Sequence, residues 1–134
     1  MIATLTGKLK IKLNNQIVID VNGVGYCLQV SKNTLDNIGE VDETVTLNTD
    51  LQVRDDSILL YGFKFQSELN MFKLLQSIQG IGPRAALAVL SALTVEQIII
   101  AIKSSDKSAF QKADGIGQRA VSYTHLTLPT TLVV

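Results

Sequence analysis

Thiols, imidazoles and long apolar runs are almost missing from these 134 residues. Cys27 is the only cysteine, so the chain can make neither an internal disulfide nor a thiolate metal cluster of its own. That scarcity fits a reducing compartment. The only histidine, His125, stands without a second histidine or a recognisable Ser/Asp arrangement, and reads as a stray polar residue rather than a ligand. The opening stretch MIATLTGKLKIKL lacks the apolar segment of a signal peptide. The most apolar run, IIIAI at 98–102, is far too short to cross a bilayer. A cytoplasmic chain with no membrane partner is expected.

Net charge is also missing. Twelve basic residues balance twelve acidic ones, which taken alone argues against a nucleic-acid partner. The balance conceals a division by halves. Residues 1–62 carry five Lys/Arg against eight Asp/Glu, and residues 63–134 carry seven against four. A basic surface is therefore expected on the second half only. A hydrophobic content of 46% with 18% charged residues is that of a folded chain, not a disordered one.

What is present comes in two patterns. GKLKIKL (7–13) and QIVIDV (16–21) alternate apolar and polar residues on either side of Asn14-Asn15, a turn-favouring pair. VGYCLQV (24–30) follows a Val-Asn-Gly turn signal, and TVTLNTDLQV (44–53) is joined to SILLYGF (57–63) by Arg54-Asp55-Asp56. Five short strands predict a β-barrel over 1–63, with the OB-fold as leading candidate and a small sandwich as competitor. From Ser67 the period becomes helical, with Leu69, Phe72, Leu75 and Ile78 recurring on one face. Pro83 suits a first helical position. Thr94 with Gln97 reads as a capping box, and Asp106 as the start of a further short helix reaching Ala113. The fold class expected is β-barrel plus all-α, with an all-helical domain over 64–121 and an atypical tail over 122–134.

Within the helical half a single cassette is written twice. LQSIQGIGPRAA (75–86) and FQKADGIGQRAV (110–121) share six of twelve positions. Each has an apolar helix end, then Gly80-Ile81-Gly82 or Gly115-Ile116-Gly117, one further residue (Pro83 or Gln118), and an arginine, Arg84 or Arg119. Glycine permits positive φ or close backbone approach, and the isoleucine between the pair can turn inward to pin the corner. The first four N–H groups of the helix that follows have no partner inside it, and with the helix dipole they make an anion site. An arginine in that first turn opposes the dipole unless an anion binds there. GIGPRA also matches a dinucleotide fingerprint, but a helix precedes it where a strand is needed, and no acidic residue sits at the right distance. A plain helix–helix turn is the remaining alternative.

Helix, Gly-x-Gly corner and helix with a basic residue form the helix–hairpin–helix pattern. Together with VNGVGYCLQV, VRDDSILLYGF, FKLLQSIQGIGPRAALAVLS and DGIGQRA, in that order, it closely resembles the RuvA family, the junction-binding subunits of bacterial branch-migration machines. The resemblance runs from residue 1 to about 121. It implies a homotetramer that presents a basic face to a four-way DNA junction in recombination and repair. Each subunit would grip a duplex arm through Gly80, Ile81, Gly82 and Arg84, and through Gly115, Ile116, Gly117, Gln118 and Arg119. The family's acidic pin at the junction centre maps onto Asp55 and Asp56. No catalytic group, metal or cofactor is implied; the motor is a separate ATPase subunit.

The chain departs from the family after Arg119. VSYTHLTLPTTLVV is rich in Thr and Val and does not resemble the helical continuation expected there. The family's C-terminal domain, which docks on the motor ATPase, has no counterpart, so recruitment of that partner is not expected. Two other classes of function stay open at this point: a general duplex-binding or scaffolding module, and a nuclease using Asp55 and Asp56 as metal ligands. Tyr26 and Tyr61, on strands, read as structural. Lys8, Lys10 and Lys12 read as one solvated strand face.

Overall fold

Period-two alternation builds the first unit. In the computed structural model, which describes residues 1–104, five strands close into a barrel in the order β1-β2-β3-β5-β4. They are β1 (Thr4–Lys12), β2 (Gln16–Val21), β3 (Val24–Val30), β4 (Thr44–Arg54) and β5 (Ser57–Phe63). Neighbours pair antiparallel except β3 and β5, which run parallel through Gln29↔Tyr61 and Val30↔Gly62. The barrel is OB-like, and the sandwich alternative is not adopted. Leu9, Ile17, Ile19, Leu28, Leu47 and Leu60 fill its interior; burying each such side chain contributes roughly 1.5–3 kcal/mol. The β2–β3 connection is a two-residue turn in which Asn22 (φ 52°) and Gly23 (φ 92°) both take positive φ, the geometry that matches strand twist. Asp20 Oδ1 accepts the Gly23 N–H at 2.8 Å and closes it.

Two features of this unit depart from the sequence reading. A short helix, α1 (Lys32–Asn37), fills the connection between β3 and β4, capped by Ser31, whose Oγ accepts the Thr34 N–H at 3.1 Å. KNTLDN has too few apolar residues to announce a helix by period. The second departure is in β1. The register slips between Leu9↔Ile19 and Ile11↔Val18, so Lys10 is the extra residue of a bulge. Lys8, Lys10 and Lys12 therefore do not continue one alternating face.

The helical region comprises α2 (Gln66–Gln76), α3 (Pro83–Ala92) and α4 (Val95–Ser104). The capping box predicted at Thr94 is formed: Gln97 Oε1 accepts the Thr94 N–H at 2.9 Å, and Thr94 Oγ1 accepts the Gln97 N–H at 3.1 Å. Pro83 opens α3, where its missing N–H costs nothing. The chain divides into two compact units, Met1–Leu69 and the residues from Asn70 onward, so the division falls inside α2. Among the described residues no single helix is long and apolar enough to cross a membrane. The helix expected over 106–113, the second cassette and the tail over 122–134 with His125 lie outside the described residues.

Candidate nucleic-acid interface

The corner between α2 and α3 is built by three consecutive residues with different tasks. Gly80 sits at φ +90°, a conformation that an L side chain strains to adopt, and it reverses the chain. Ile81 is buried, 4% exposed, and its N–H bonds to the Ile78 carbonyl at 3.1 Å, so the middle of the corner is pinned inward. Gly82 is exposed and serves as the N-cap of α3 at φ −89°, ψ −177°, with no side chain to cap the helix. Its carbonyl accepts the first helical bond, from Ala86 N at 2.9 Å. The N–H groups of Gly82, Arg84 and Ala85 find no acceptor among the described residues.

An alanine at Gly82 would meet nothing within 4 Å. The glycine is therefore required neither by φ nor by crowding within the chain. What it does is leave the amides behind it bare. Arg84 is exposed in the first turn of α3, which contains no acidic residue. Bare donors, the positive end of a ten-residue helix and an exposed arginine thus fall within the four residues from Gly82 to Ala85. An anion can satisfy all of them together. The structure brings Gly80, Ile81, Gly82 and Arg84 into one corner. Gly115, Ile116, Gly117, Gln118 and Arg119 lie outside the described residues.

Asp55 and Asp56 form the exposed tip of the β4–β5 hairpin, between the paired residues Arg54 and Ser57. Among the described residues no three His, Cys, Asp or Glu side chains gather where they could hold one ion. The three lysines of β1 separate in role as well as in register. Lys12 donates to the Gly39 carbonyl at 2.9 Å, Lys10 pairs with Asp42 at 3.3 Å, and Lys8 is exposed. Lys8 and Lys10 border a polar cleft of about 410 Å³ shared with Thr6, Asp20, Asn22 and Thr44. Tyr61 is buried, 3% exposed, and Tyr26 is half-buried. Both positions suit the structural role expected of them.

Two features escaped the sequence reading. Glu68 is buried, 1% exposed, although it stands in the first turn of α2. It accepts hydrogen bonds from Ser31 Oγ at 3.0 Å, from Asn33 Nδ2 at 2.8 Å and from the Thr34 hydroxyl. Its partners lie more than thirty residues upstream, so no local pattern betrays it. The second feature is the outer end of the β4–β5 hairpin, where Val53 and Ile58 stand opposite each other and exposed.

A closed five-stranded barrel followed by a helix–hairpin–helix corner defines the class of protein. Comparison with known proteins carries this further. Residues 1–62 match the RuvA N terminal domain, and residues 72–122 match the SAM-like helix-hairpin-helix tandem. The chain is 47% identical over 119 residues to the Holliday junction branch migration complex subunit RuvA of Zymomonas mobilis, covering 89% of this chain and 56% of that protein. It is 43% identical over the same length to the protein of that name from Acetivibrio thermocellus, covering 59% of it, and 40% identical to that from Methylocella silvestris, covering 57%. The chain belongs to the RuvA family. It spans a little under three-fifths of the length of these relatives.

Proposed function

We propose that this chain is a non-catalytic, structure-selective DNA-binding protein that holds four-way junctions without reading their sequence. In that role it supports branch migration by a partner ATPase in recombination and repair, as a homotetramer in the cytoplasm. The observation that carries the reading is the corner at 80–84: bare amides, an exposed arginine at a helix N-terminus, and a buried isoleucine that fixes both. Backbone amides donating to phosphate oxygens are charge-assisted contacts of roughly 1.5–3 kcal/mol each. Such contacts position a protein on duplex and carry no base information. The repeat of the motif at Gly115, Ile116, Gly117, Gln118 and Arg119 supplies a second grip on the same arm. The names of the relatives supply the junction and the partner.

Asp55 and Asp56 take the opposite role. A carboxylate facing a phosphate at about 4–5 Å repels it by roughly 3–4 kcal/mol at an effective dielectric near 20, before salt screening. A pair of carboxylates at an exposed hairpin tip is suited to keeping strands apart at a crossover. Asp55→Asn combined with Asp56→Asn should bind a four-way junction at least as tightly as the parent, while changing the opening of its central base pairs. Titration of a junction carrying a fluorescent base analogue at the crossover reads both, and weaker binding would contradict a repulsive tip.

The test of the grip is its salt dependence. Arg84→Ala should weaken binding to every duplex sequence alike, and the slope of log affinity against log salt should fall by about 0.9 for each phosphate no longer neutralised. An unchanged slope would rule out direct phosphate contact. Competition between a four-way junction and linear duplex of equal length separates junction selectivity from general duplex binding, for which equal affinity is the signature.

A further inference from the structure

Among the described residues Glu68 is the only charged side chain that is buried. Burying a carboxylate is a poor route to stability, because well-packed apolar residues of the same volume often do as well or better. What a carboxylate adds is direction. Apolar contact is indifferent to angle, whereas a hydrogen bond weakens steeply once donor and acceptor are misaligned. One oxygen of Glu68 takes the Ser31 hydroxyl at 3.0 Å and the Thr34 hydroxyl, and the other takes the Asn33 amide at 2.8 Å. Engaging both oxygens fixes the rotation of the carboxylate as well as its position. The two hydroxyls are themselves held, Ser31 by the Thr34 N–H and Thr34 by the Lys64 N–H, each at 3.1 Å.

Three segments of the chain meet at this carboxylate. Ser31 links the end of β3 to α1, Lys64 follows the last residue of β5, and Glu68 lies in the first turn of α2. All of them belong to the unit Met1–Leu69. β5 is the strand that returns from the Asp55-Asp56 tip, and α2 is the helix that runs on past Leu69 toward the corner at 80–84. The carboxylate thus stands where the strand from the tip gives way to the helix that leads to the grip. We infer that Glu68 is a positioning residue: it fixes the direction in which α2 leaves the barrel, and through it the preference of the chain for a four-way junction over linear duplex. The inference rests on the DNA-binding reading above and adds the residue that couples the tip to the grip. Linear duplex needs only that the corner reach phosphates, which a swivelling α2 still allows. At a crossover the strands must meet tip and grip together. Each further direction open to α2 lowers the fraction of molecules that can do both, and apparent junction affinity falls with that fraction.

Glu68→Gln, alone and combined with Asn33→Asp, tests this in the full chain. The single variant keeps the volume and one accepting oxygen but sets amide against amide at Asn33. The double variant reverses donor and acceptor, restores that bond and keeps the total charge. At a temperature where parent and variants are all folded, the single variant should lose about tenfold in junction affinity and keep its affinity for linear duplex. The double variant should recover most of the loss. A second readout needs no DNA. In a Cys27→Ser background, spin labels at Lys8→Cys and Lys73→Cys, both exposed positions, should give one narrow distance distribution in the parent. It should be broadened or displaced by Glu68→Gln and narrow again in the double variant. A single variant that melts earlier yet keeps the junction-to-linear ratio and the narrow distribution overturns the inference, because Glu68 then only stabilises. So does an equal loss for both DNA forms, or a donor–acceptor swap that fails to restore the ratio. If the parent binds both DNA forms equally while the label distances respond as expected, the junction reading is lost and the control of α2 by Glu68 stands.

Discussion

Gly82→Ala should cost roughly tenfold or more in affinity for DNA while leaving the stability of the protein where it is. The backbone at Gly82 (φ −89°) is open to any residue, and an added Cβ would touch nothing within 4 Å. Within the chain alone the substitution is free of strain, and it removes some freedom from the unfolded state. A phosphate seated on the Gly82, Arg84 and Ala85 amides needs the space that the methyl would take. Removing one charge-assisted hydrogen bond is worth roughly 1.5–3 kcal/mol, about ten- to a hundredfold in affinity. Gly80→Ala should behave in the reverse sense. Its φ of +90° must be kept for the corner to form, and an L residue there costs about 1–2 kcal/mol of stability. One glycine would then report in the melting curve and the other in the binding curve. Parent-like affinity of Gly82→Ala for both linear and four-way DNA would show that nothing approaches these amides closely.

That division of labour between two glycines marks where the sequence stopped being legible. The repeat, the glycines and the arginine could be read because each is a local requirement: a reversal, a buried anchor and a charge within a few residues. The strands were legible for the same reason, since β2 and β3 pair in one unbroken register from Gln16↔Gln29 to Val21↔Val24. β1 shows the limit. LKIK alternates perfectly on paper, yet the bulge at Lys10 leaves Ile11 exposed and breaks the face that Lys8, Lys10 and Lys12 were expected to share. A bulge depends on how two strands meet, which neither strand states alone. The exposure of Val53 and Ile58 was hidden by a similar cause. Both fit an apolar strand pattern, and only the register with β1 and β3 reveals that the hairpin has passed beyond its neighbours. α1 was missed because its stability comes from the Ser31 cap and from contacts made by Thr34, not from a periodic stripe of its own.

Glu68 carries the largest expected effect on stability. Glu68→Ala should destabilise the Met1–Leu69 unit by about 4 kcal/mol, because three buried or partly buried donors lose their acceptor at once. Two of those donors have second duties. Ser31 Oγ also caps α1 by accepting the Thr34 N–H, and Thr34 Oγ1 also accepts the Lys64 N–H at 3.1 Å. A carboxylate only accepts, so one oxygen lets both hydroxyls donate inward while they still accept backbone hydrogens, and the other takes the Asn33 amide. Ser31 and Thr34 are fully buried and Glu68 is 1% exposed, so the two hydroxyls are cut off from bulk solvent, whereas the partly buried Asn33 loses less. Glu68→Gln should cost less, since one oxygen still accepts from Ser31 and Thr34, but its amide nitrogen would face Asn33 Nδ2, donor against donor. Thr34→Val should fall between, leaving the Lys64 N–H without its acceptor. Amide exchange in β2 and β3 under native conditions measures the opening of the barrel unit without assuming that both units melt together. Protection in Glu68→Ala within about 1 kcal/mol of the parent, on the scale of a single hydrogen bond, would mean that α1 and the first turn of α2 are held to the barrel by apolar packing alone.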